Sequence, residues 1–502
     1  MSGLVFEVDT RAPVSAPERA DLACFVGFVR RVPGTPVPPD LQQWLVEHGW
    51  SAGPLSSLED VPVPIERWSD FARLFDWEGT YLGAAVRSFF TQGGRKCYVV
   101  RVGDPWPALA PRAARAPLTG KLLPGLGALF EATPHDRGTW KGAAHLLGLD
   151  DVSFLCLPDL SALFAVDDAP LPPPVPPPTH PEVFVDCSTP APAPVEQLPS
   201  LQPEPRADAE GYTRWADFLE RVKALLTRHV REVQLVAAIP LPHASAVAHA
   251  HGRDWVAEEN PHAYLLATGH LSRIASAFVQ LVYPWARTPG SALLPGGLES
   301  PEGLLSGVLA RSALLRGTFH SAVQAGLADV HELSPRVDRA ALALRPPTGP
   351  SGAADSAWSE RVSLLGYTAG GPRVLSDVTT SPSASWRQAG VCRLLSVLIR
   401  ALRRAGVQTL FEPSSERTWR ELVYRAEGLL VRLWEAGALR GASPRDAFQV
   451  RCDRTTMTQD DLDAGRLVAT VAFDAAAALE RIHVVLTLAE EGVLTLLPEG
   501  AS

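Results

Sequence analysis

Residues 411–473 have the sequence FEPSSERTWRELVYRAEGLLVRLWEAGALRGASPRDAFQVRCDRTTMTQDDLDAGRLVATVAF, which predicts one long helix followed by strands. Apolar residues recur at steps of three and four, as on the buried stripe of an amphipathic helix. The stripe comprises Trp419, Leu422, Val423, Ala426, Leu429, Leu433 and Trp434. Ser414 or Ser415 is a suitable N-cap, because a short hydroxyl accepts from a free amide of the first turn. We expect Trp419, Leu429, Leu433 and Trp434 to anchor a small core.

Two strands and a turn are predicted after this helix. Residues 447–452 have the composition of a short strand, and residues 467–473 alternate apolar and small residues, as in a strand with one buried face. Between them, Thr458 and Asp461 have the spacing of a helix cap. The stretch therefore predicts a compact α+β unit.

Several motifs, read with their order and spacing, resemble the contractile tail sheath proteins of myophages, R-type pyocins and extracellular contractile injection systems. Within 411–473 these are FEP at 411–413, LW at 433–434, GAL at 437–439, FQVRCD at 448–453 and TTMTQ at 455–459, with Asp463 and GR at 465–466. Upstream matches are FFTQGGRKCYVVRV at 89–102, AFVQLVYPW at 277–285 and PEGLLSGVLAR at 301–311. The chain departs from the family at Ser312, where an acid is usual, and at His320–Ala322.

The resemblance implies a layered α/β middle domain, described as subtilisin-like in this family, and a smaller α+β C-terminal domain completed by terminal strand arms. The corresponding division is an N-terminal arm at 1–20, a middle domain at 21–165 and 206–345, a proline-rich linker or surface insertion at 166–205, a junction at 346–385, a C-terminal domain at 386–489 and a C-terminal arm at 490–502. A second helix, at 386–405, opens the C-terminal domain. Alternation of helix and strand along residues 22–330 independently favours an α/β layer.

The function implied is structural. Copies of this chain would polymerise as stacked rings around an inner tube protein, between baseplate and terminal cap proteins, and contract to drive the tube into a target envelope. Such particles assemble in the bacterial cytoplasm. No enzymatic activity, cofactor or metal is implied.

Both chain ends carry apolar strand-like runs beyond the nearest core element, which a monomer would leave with unpaired backbone groups. The residues are Leu4, Val5, Phe6 and Val8 at the N-terminus and Val493, Leu494 and Leu496 at the C-terminus. We expect them to link neighbouring copies by strand addition.

Two charged sets are candidates for contact with the tube. They are Arg417, Arg420 and Arg425 on the exposed face of the predicted helix, and Asp460 and Asp463 in the turn after it. The sequence does not choose between them.

Composition argues against several other classes of function. The net charge of −9 opposes a nucleic-acid surface, and the six cysteines are widely spaced, as in a reduced protein without a zinc site. No signal peptide and no apolar run of about 18 residues is present, so we expect no membrane insertion. Neither a P-loop nor GxSxG occurs. His249, His251 and His262 lack the further ligands of a metal site, and Asp460, Asp461 and Asp463 miss the EF-hand register.

Three alternatives remain open at this stage. One is a minor or paralogous sheath subunit near the baseplate or cap. The others are an α/β hydrolase-like enzyme, for which no catalytic set is visible, and a non-contractile scaffold or adhesin. For the proline-rich segment, a spacer is the main interpretation and a ligand for a proline-binding groove is the alternative.

Overall fold

The computed structural model describes residues 20–51, 53, 55–107, 110–124, 137, 140–167, 202–243, 261–337, 357–409, 415–463, 467–476, 482–489 and 492–496. The strands are β1 (Ala23–Gly27), β2 (Arg30–Arg31), β3 (Pro62–Ile65), β4 (Phe75–Asp76), β5 (Cys97–Arg101), β6 (Phe154–Cys156), β7 (Arg206–Ala207), β8 (Gln234–Ala238), β9 (Leu241–Pro242), β10 (Val279–Tyr283), β11 (Trp285–Arg287), β12 (Glu332–Ser334), β13 (Ser363–Thr368), β14 (Gly371–Val374), β15 (Phe448–Arg451), β16 (Leu467–Phe473), β17 (Ile482–Ala489) and β18 (Gly492–Leu496). The helices are α1 (Pro39–Glu47), α2 (Trp68–Leu74), α3 (Tyr81–Thr91), α4 (Arg112–Arg115), α5 (Thr119–Leu122), α6 (Leu160–Leu163), α7 (Ala209–His229), α8 (Pro261–Ala267), α9 (His270–Arg273), α10 (Glu302–Arg316), α11 (Ala384–Arg387), α12 (Ala389–Thr409), α13 (Glu416–Glu435), α14 (Pro444–Ala447) and α15 (Gln459–Asp463).

Eight strands form the main sheet, in the order β14-β13-β10-β8-β6-β1-β5-β3. The six inner strands, from β13 to β5, run parallel, and the two outer strands pair antiparallel with their neighbours. Every residue of β1, β5, β6, β8 and β10 is buried. Strands covered on both faces need continuous apolar runs, which is why these segments lack the alternation of a half-exposed sheet. The predicted α/β layer is confirmed.

The link from α3 to β5 follows the predicted helix–glycine–strand pattern. Thr80 caps α3, its hydroxyl accepting from the amide of Gly83 at 3.1 Å. After the helix, Gly93 has φ +103°, a conformation that side chains rarely allow. The chain can therefore turn directly into β5, which pairs parallel with β1.

Helix α10 lies unusually close to α3 because its inner face carries glycine. A Cβ placed on Gly303 would lie 2.1 Å from the backbone oxygen of Ala85. No residue larger than glycine fits there without moving a helix. The predicted PEGLLSGVLAR motif thus has a packing role.

One helical stretch is divided, and one domain boundary differs from the sequence-based prediction. Residues 261–273 form two helices, α8 and α9, divided at Gly269, which has φ +75°. The expected junction at 346–385 contains β13 and β14, which extend the main sheet. Since β13 pairs with β10, this part of the junction belongs to the unit built on the main sheet. We call this unit the first domain; it corresponds to the predicted middle domain.

The C-terminal sheet has the antiparallel order β15-β16-β17-β18. Helix α13 packs against α12 and β15, and α12 also lies close to β18. Much of α12 belongs to the same apolar core as the main sheet, through residues such as Val391, Leu395 and Ile399. The helix that was expected to open a separate domain therefore joins the two sheets.

Among the helices described here, none has the length and apolar character needed to cross a lipid bilayer.

Candidate functional site

The last strand, β18, lies at one side of the C-terminal sheet. Its register places Val493, Leu494 and Leu496 opposite Leu488, Thr487 and Val485 of β17. Within the described part of the chain, no strand pairs with the other side of β18. A strand in this position presents a row of backbone donors and acceptors to an incoming strand.

This pairing corrects one expectation about the C-terminal arm. The sequence led us to expect the segment containing Val493 to stay apart from its own chain, but in the single chain β18 completes the chain's own sheet. Antiparallel neighbours joined by a two-residue connection pair readily, which explains the difference. Pairing between copies remains a prediction. The N-terminal candidates Leu4, Val5, Phe6 and Val8 lie outside the described residues.

Helix α13 has the predicted N-cap, and its two halves pack into different apolar clusters. Ser415 is the N-cap, its hydroxyl accepting from the amide of Thr418 at 3.4 Å. The N-terminal half contributes Trp419 and Leu422 to a small cluster with Cys452, Met457, Leu467 and Ala469. The C-terminal half contributes Ala426, Leu429 and Leu430 to the main core. The helix therefore spans two apolar clusters.

The anchor residues of this helix are buried to different degrees. Trp419 and Leu429 are buried, whereas Leu433 and Trp434 are only half-buried and pack at the margin of the core. The Trp434 indole donates to the backbone oxygen of Gly441 at 3.0 Å. Leu430, which the predicted stripe omits, is fully buried. Its position next to Leu429 widens the stripe, and a wide stripe is the signal for a helix packed between two layers.

The three arginine candidates on α13 are all exposed. Arg425 pairs with Glu421 at 2.5 Å, and the Arg420 side chain donates to the backbone oxygen of Glu416 at 3.2 Å. Between them lies Tyr424, whose side chain is 77% exposed. An exposed aromatic residue flanked by arginines has the composition of a protein interface. The sequence-based candidates omitted Tyr424, although an aromatic residue on the polar face of an amphipathic helix is a visible signal.

The acidic candidates lie in α15, which we call the acidic turn (Gln459–Asp463). Asp460 is exposed, and the side chain of Asp463 lies outside the described part of the structure. The predicted cap forms: Asp461 accepts from the amide and hydroxyl of Thr458 at 3.0 and 2.6 Å. Because Met457 and Trp419 share one cluster, the acidic turn and the first half of α13 flank the same small core.

A buried ion pair joins α12 to the main sheet. Arg393 and Asp377 are 3% and 0% exposed, with Nη2 and Oδ2 2.7 Å apart. Asp377 also accepts from the amide of Ala322 at 2.8 Å and from the Gln280 side chain at 2.9 Å. Burial alone would raise the pKa of Asp377, but Arg393 and these donors outweigh it and hold the pKa below the usual range.

Two more arginines of α12 reach the first domain. Arg400 donates to the backbone oxygen of Asp151 at 3.0 Å and to the hydroxyl of Ser153 at 2.7 Å, and Arg403 pairs with Glu232. Burial lowers the pKa of Arg400 to about 10. With Arg393, these contacts fix α12 against the amino ends of the parallel strands, since Ser153 precedes β6 and Glu232 precedes β8.

The carboxyl ends of the parallel strands, where α/β proteins usually bind ligands, are filled by the protein's own side chains. Asp159 follows β6 and accepts from the amide of Phe28, after β1, at 2.9 Å. Glu302 at the start of α10 accepts from the amide of Ala238 in β8 at 2.9 Å, and Glu299 accepts from Ser88 at 2.5 Å. These carboxyls therefore close the edge of the sheet.

All three carboxyls have raised pKa values because they are buried. Burial raises the pKa of Asp159 to about 7, that of Glu302 to about 7 and that of Glu299 to about 8. Their mutual repulsion adds to the effect: Glu302 raises the pKa of both Asp159 and Glu299. Burial therefore favours the protonated form of these carboxyls to a higher pH than is usual for aspartate and glutamate.

Other candidate chemistry is not assembled in the described part of the structure. There, no three histidine, cysteine, aspartate or glutamate side chains are grouped to hold a metal ion. His262 is buried, and burial lowers its pKa to about 3. His249 and His251 lie outside the described residues.

Sequence comparisons identify no relative: no protein-family model matches the chain, and no curated protein matches it. Solved structures do share its fold. A chain of the anti-feeding prophage (AFP) baseplate in contracted state has a TM-score of 0.55 and 20% identity, covering 94% of this chain and 93% of that chain. For a chain of the AFP helical sheath in contracted state the TM-score is 0.52 at 20% identity, with 94% and 95% covered. For a chain of the PVC sheath complex of an extracellular contractile injection system, also contracted, it is 0.52 at 17% identity, with 95% and 94% covered.

At these identities the likeness establishes the fold. It extends over nearly the whole length of both chains, so it includes the main sheet and the C-terminal sheet together. A shared domain of a common α/β type would have matched only part of the chain.

Proposed function

We propose that this protein is a structural subunit of a contractile sheath, which polymerises around an inner tube and contracts to drive the tube into a target envelope. One observation carries the proposal: 94% of the chain shares its fold with 95% of a chain in a helical sheath. The sequence motifs of the sheath family fall on the elements that build this fold, namely α3–β5, β10–β11, α10 and the α13–β16 unit. The subtilisin-like description of the middle domain belongs to the same proposal.

Assembly would use the chain ends. The exposed side of β18 offers backbone groups to a strand from another copy, for which the N-terminal run Leu4–Val8 has the required apolar composition. In the polymer, Val493, Leu494 and Leu496 would either stay in their own sheet or exchange with a neighbour. Either arrangement links copies through main-chain hydrogen bonds.

Contraction would need no nucleotide. Work of this kind is stored in a strained lattice and released when subunits move to a more stable arrangement, as in other bistable assemblies. The three α12 arginines suit this role, because they tie the first domain to the C-terminal unit while the subunit rotates. We therefore propose a mechanical and non-enzymatic role, with assembly in the bacterial cytoplasm before the particle acts.

The tube would contact the C-terminal unit. Among the candidates, Arg417, Arg420 and Arg425 together with Tyr424 make the more complete surface, since they combine charge with an exposed aromatic ring. Reversing Arg417 and Arg420 should weaken co-sedimentation with the tube protein, and more so at low salt. Undiminished binding would place the tube surface elsewhere.

Baseplate and terminal cap proteins would be further partners. Because matching chains come from both baseplate and sheath assemblies, a minor or paralogous sheath subunit near the baseplate or cap is the second candidate. An α/β hydrolase-like enzyme is less suited, since three buried carboxyls fill the edge where such enzymes bind substrate.

Electron microscopy of the purified protein tests the proposal. We expect long hollow cylinders, alone or with the tube protein added. Single rings or short stacks that require baseplate proteins would support the minor-subunit alternative. Monodisperse monomers under all these conditions would contradict a sheath role.

A further inference from the structure

A surface cavity lies between the second half of α10 and the segment that follows it. Its volume is about 270 Å³. Apolar groups from Val308, Leu315, Val323 and Ala325 line it, and Arg311, Ser312, Arg316 and Gln324 form its polar rim. We call it the arginine cavity.

An exposed leucine marks this cavity as a contact surface. The Leu315 side chain is 76% exposed, and Leu314 beside it is also exposed. Aliphatic side chains that project singly are ordinary on a protein surface, but Leu315 projects at the side of a cavity. Contact with another protein would remove this surface from water.

The two arginines are fixed in place but not neutralised. Arg311 donates to the backbone oxygen of Gly326 at 2.6 Å, and its stem lies against Gly93. Arg316 donates to the Ser312 hydroxyl and the Ser321 backbone oxygen, both at 2.9 Å. All these acceptors are uncharged, and within the described part of the chain neither guanidinium forms an ion pair. Burial and the nearby charge of Arg316 lower the pKa of Arg311, so the two cations repel each other.

The acidic turn (Gln459–Asp463) has the complementary chemistry. Residues 460–463 are the only four consecutive positions of the sequence that contain three acids, and a leucine lies among them. The turn is held by its Thr458–Asp461 cap, and Asp460 is exposed, with no ion pair to another described residue. A short capped turn with acids and one aliphatic residue fits a cavity that is lined by apolar and basic side chains.

We propose that the arginine cavity of one copy receives the acidic turn of a second copy. The proposal deepens the sheath function and rests on it, since it names a contact by which subunits associate. In a sheath the turn of each copy would enter the cavity of the next copy, and such head-to-tail contacts generate rings or helical filaments rather than closed twofold dimers. Asp460 and Asp463 then serve contacts between copies, and the arginine face of α13 remains for the tube.

Charge reversal with rescue tests the contact in the full-length chain. In Arg311→Glu/Arg316→Glu we expect the protein concentration needed for cylinders to rise at least tenfold. Adding Asp460→Arg/Asp463→Arg to the same chain should restore assembly, because each contact then has the opposite polarity. The control, Arg67→Glu/Arg228→Glu, changes the net charge equally at exposed positions and should assemble normally. Absence of rescue with a normally folded quadruple variant would overturn the inference.

Cross-linking provides a second measurement that does not depend on cylinders. The described cysteines are buried, so a Cys187→Ser background leaves introduced thiols as the reactive sites. Leu315→Cys and Asp460→Cys proteins, mixed and treated with a short bismaleimide, should give covalent dimers containing one chain of each. Equal dimer formation by either protein alone, or no dimer in the mixture, would contradict the proposed contact.

The two proposals fail in distinguishable ways. If wild-type protein forms cylinders and the doubly reversed arginine variant forms the same cylinders, this inference is wrong and the sheath function stands. If wild-type protein stays monomeric under all these conditions, the sheath function is wrong, and the cross-linking result decides on the contact alone.

Discussion

The two sheets of this protein end differently. The main sheet is protected at both sides. At one side, β3 carries Pro62 and Pro64, which have no N–H group to offer an incoming strand. At the other side, β14 is covered by residues 324–327: Gln324 donates its amide to Val374 at 2.8 Å, and Val374 donates back to Ala325 at 3.0 Å.

The C-terminal sheet has neither form of protection in its outer strands. β15 has the sequence FQVR and β18 the sequence GVLTL, and neither contains proline or lysine. Among the described residues, no segment pairs with the outer side of β18. A long apolar strand left open would promote aggregation in an ordinary monomer.

The difference indicates where association is allowed. A fold that blocks strand addition at one sheet and permits it at another directs self-assembly to the second. This agrees with the sheath proposal, in which the C-terminal sheet links copies and the main sheet is the rigid body. The following predictions test this division, beginning with the largest expected effect.

Deleting residues 490–502 removes β18, and we expect cylinders to disappear completely. The main core lies elsewhere, so circular dichroism and the melting of the main sheet should change little. Deleting residues 1–10 should have the same effect on assembly, because the open strand would lack its partner. Negative-stain microscopy and thermal melts measure both outcomes.

Normal cylinders from either truncated protein would contradict assembly through the terminal strands. Unfolding of the 490–502 deletion would show that pairing of β18 within its own chain, rather than exchange, is what the strand provides.

Arg393→Ala should destabilise the main sheet by about 3–5 kcal/mol, because it leaves the fully buried Asp377 charged and without its partner. The control is Arg425→Ala, which breaks an exposed pair and should cost about 0–1 kcal/mol. Urea denaturation followed by circular dichroism measures both. If both variants lose equally little free energy of unfolding, the buried Arg393–Asp377 pair does not hold α12 against the first domain.

How far the sequence predicts this fold depends on which signal is used. Continuous apolar runs mark β1, β5, β6, β8 and β10 in the sequence, because strands buried on both faces leave a strong local pattern. Strands β13 and β14 were assigned to a junction, since glycine and proline dominate the surrounding sequence. Strand β10, through which this hairpin joins the main sheet, is about 80 residues away from β13.

The sequence also does not predict contacts between residues that are far apart in the chain, because such contacts leave no local pattern. The sequence places Arg400 and Arg403 near the end of the predicted helix at 386–405, where their charge is favourable, but it does not show that Arg400 contacts Ser153 in the first domain. Similarly, periodicity identified the buried stripe of α13 but not that Trp434 lies at its margin. Helical spacing predicts which face is buried, but the depth of burial depends on the neighbouring layer.

Glu299→Gln should change how stability depends on pH. The pKa of Glu299 is raised to about 8 in the folded chain, so the folded state binds this proton more tightly than the unfolded state. Its contribution is therefore fully present at acid pH, below the ordinary glutamate pKa, and is lost as the pH rises towards 8. Glutamine resembles the protonated side chain, so the variant should become more stable than wild type as the pH rises from 5 to 9, by on the order of 1–3 kcal/mol.

Glu435→Gln, at an exposed position of α13, is the matched control and should follow the wild-type profile. Melting temperatures at pH 5, 7 and 9 measure the effect. If the difference between Glu299→Gln and wild type is the same at all three pH values, Glu299 does not titrate in this range, and the carboxyl edge is not a source of pH dependence.

The smallest effect is expected from replacing the proline-rich segment. Its interior lies outside the described residues, but its two ends meet: the amide of Val166 donates to the backbone oxygen of Arg206 at 2.8 Å. Residues 202–205 are already part of the fold, since Glu204 pairs with Arg206 at 2.6 Å, so the replaceable part ends earlier than the predicted boundary at 205.

Replacing 171–201 with a short Gly/Ser linker should therefore change the free energy of unfolding by less than about 0.5 kcal/mol, since the entropy cost of closing a loop grows only logarithmically with its length. Assembly should be retained as well, and microscopy with urea denaturation measures the two outcomes. Extending the deletion through Glu204 is the control that should destabilise the chain. If the 171–201 variant loses folding, the segment packs into the first domain, and if it folds but forms no cylinders, the segment makes a contact between copies.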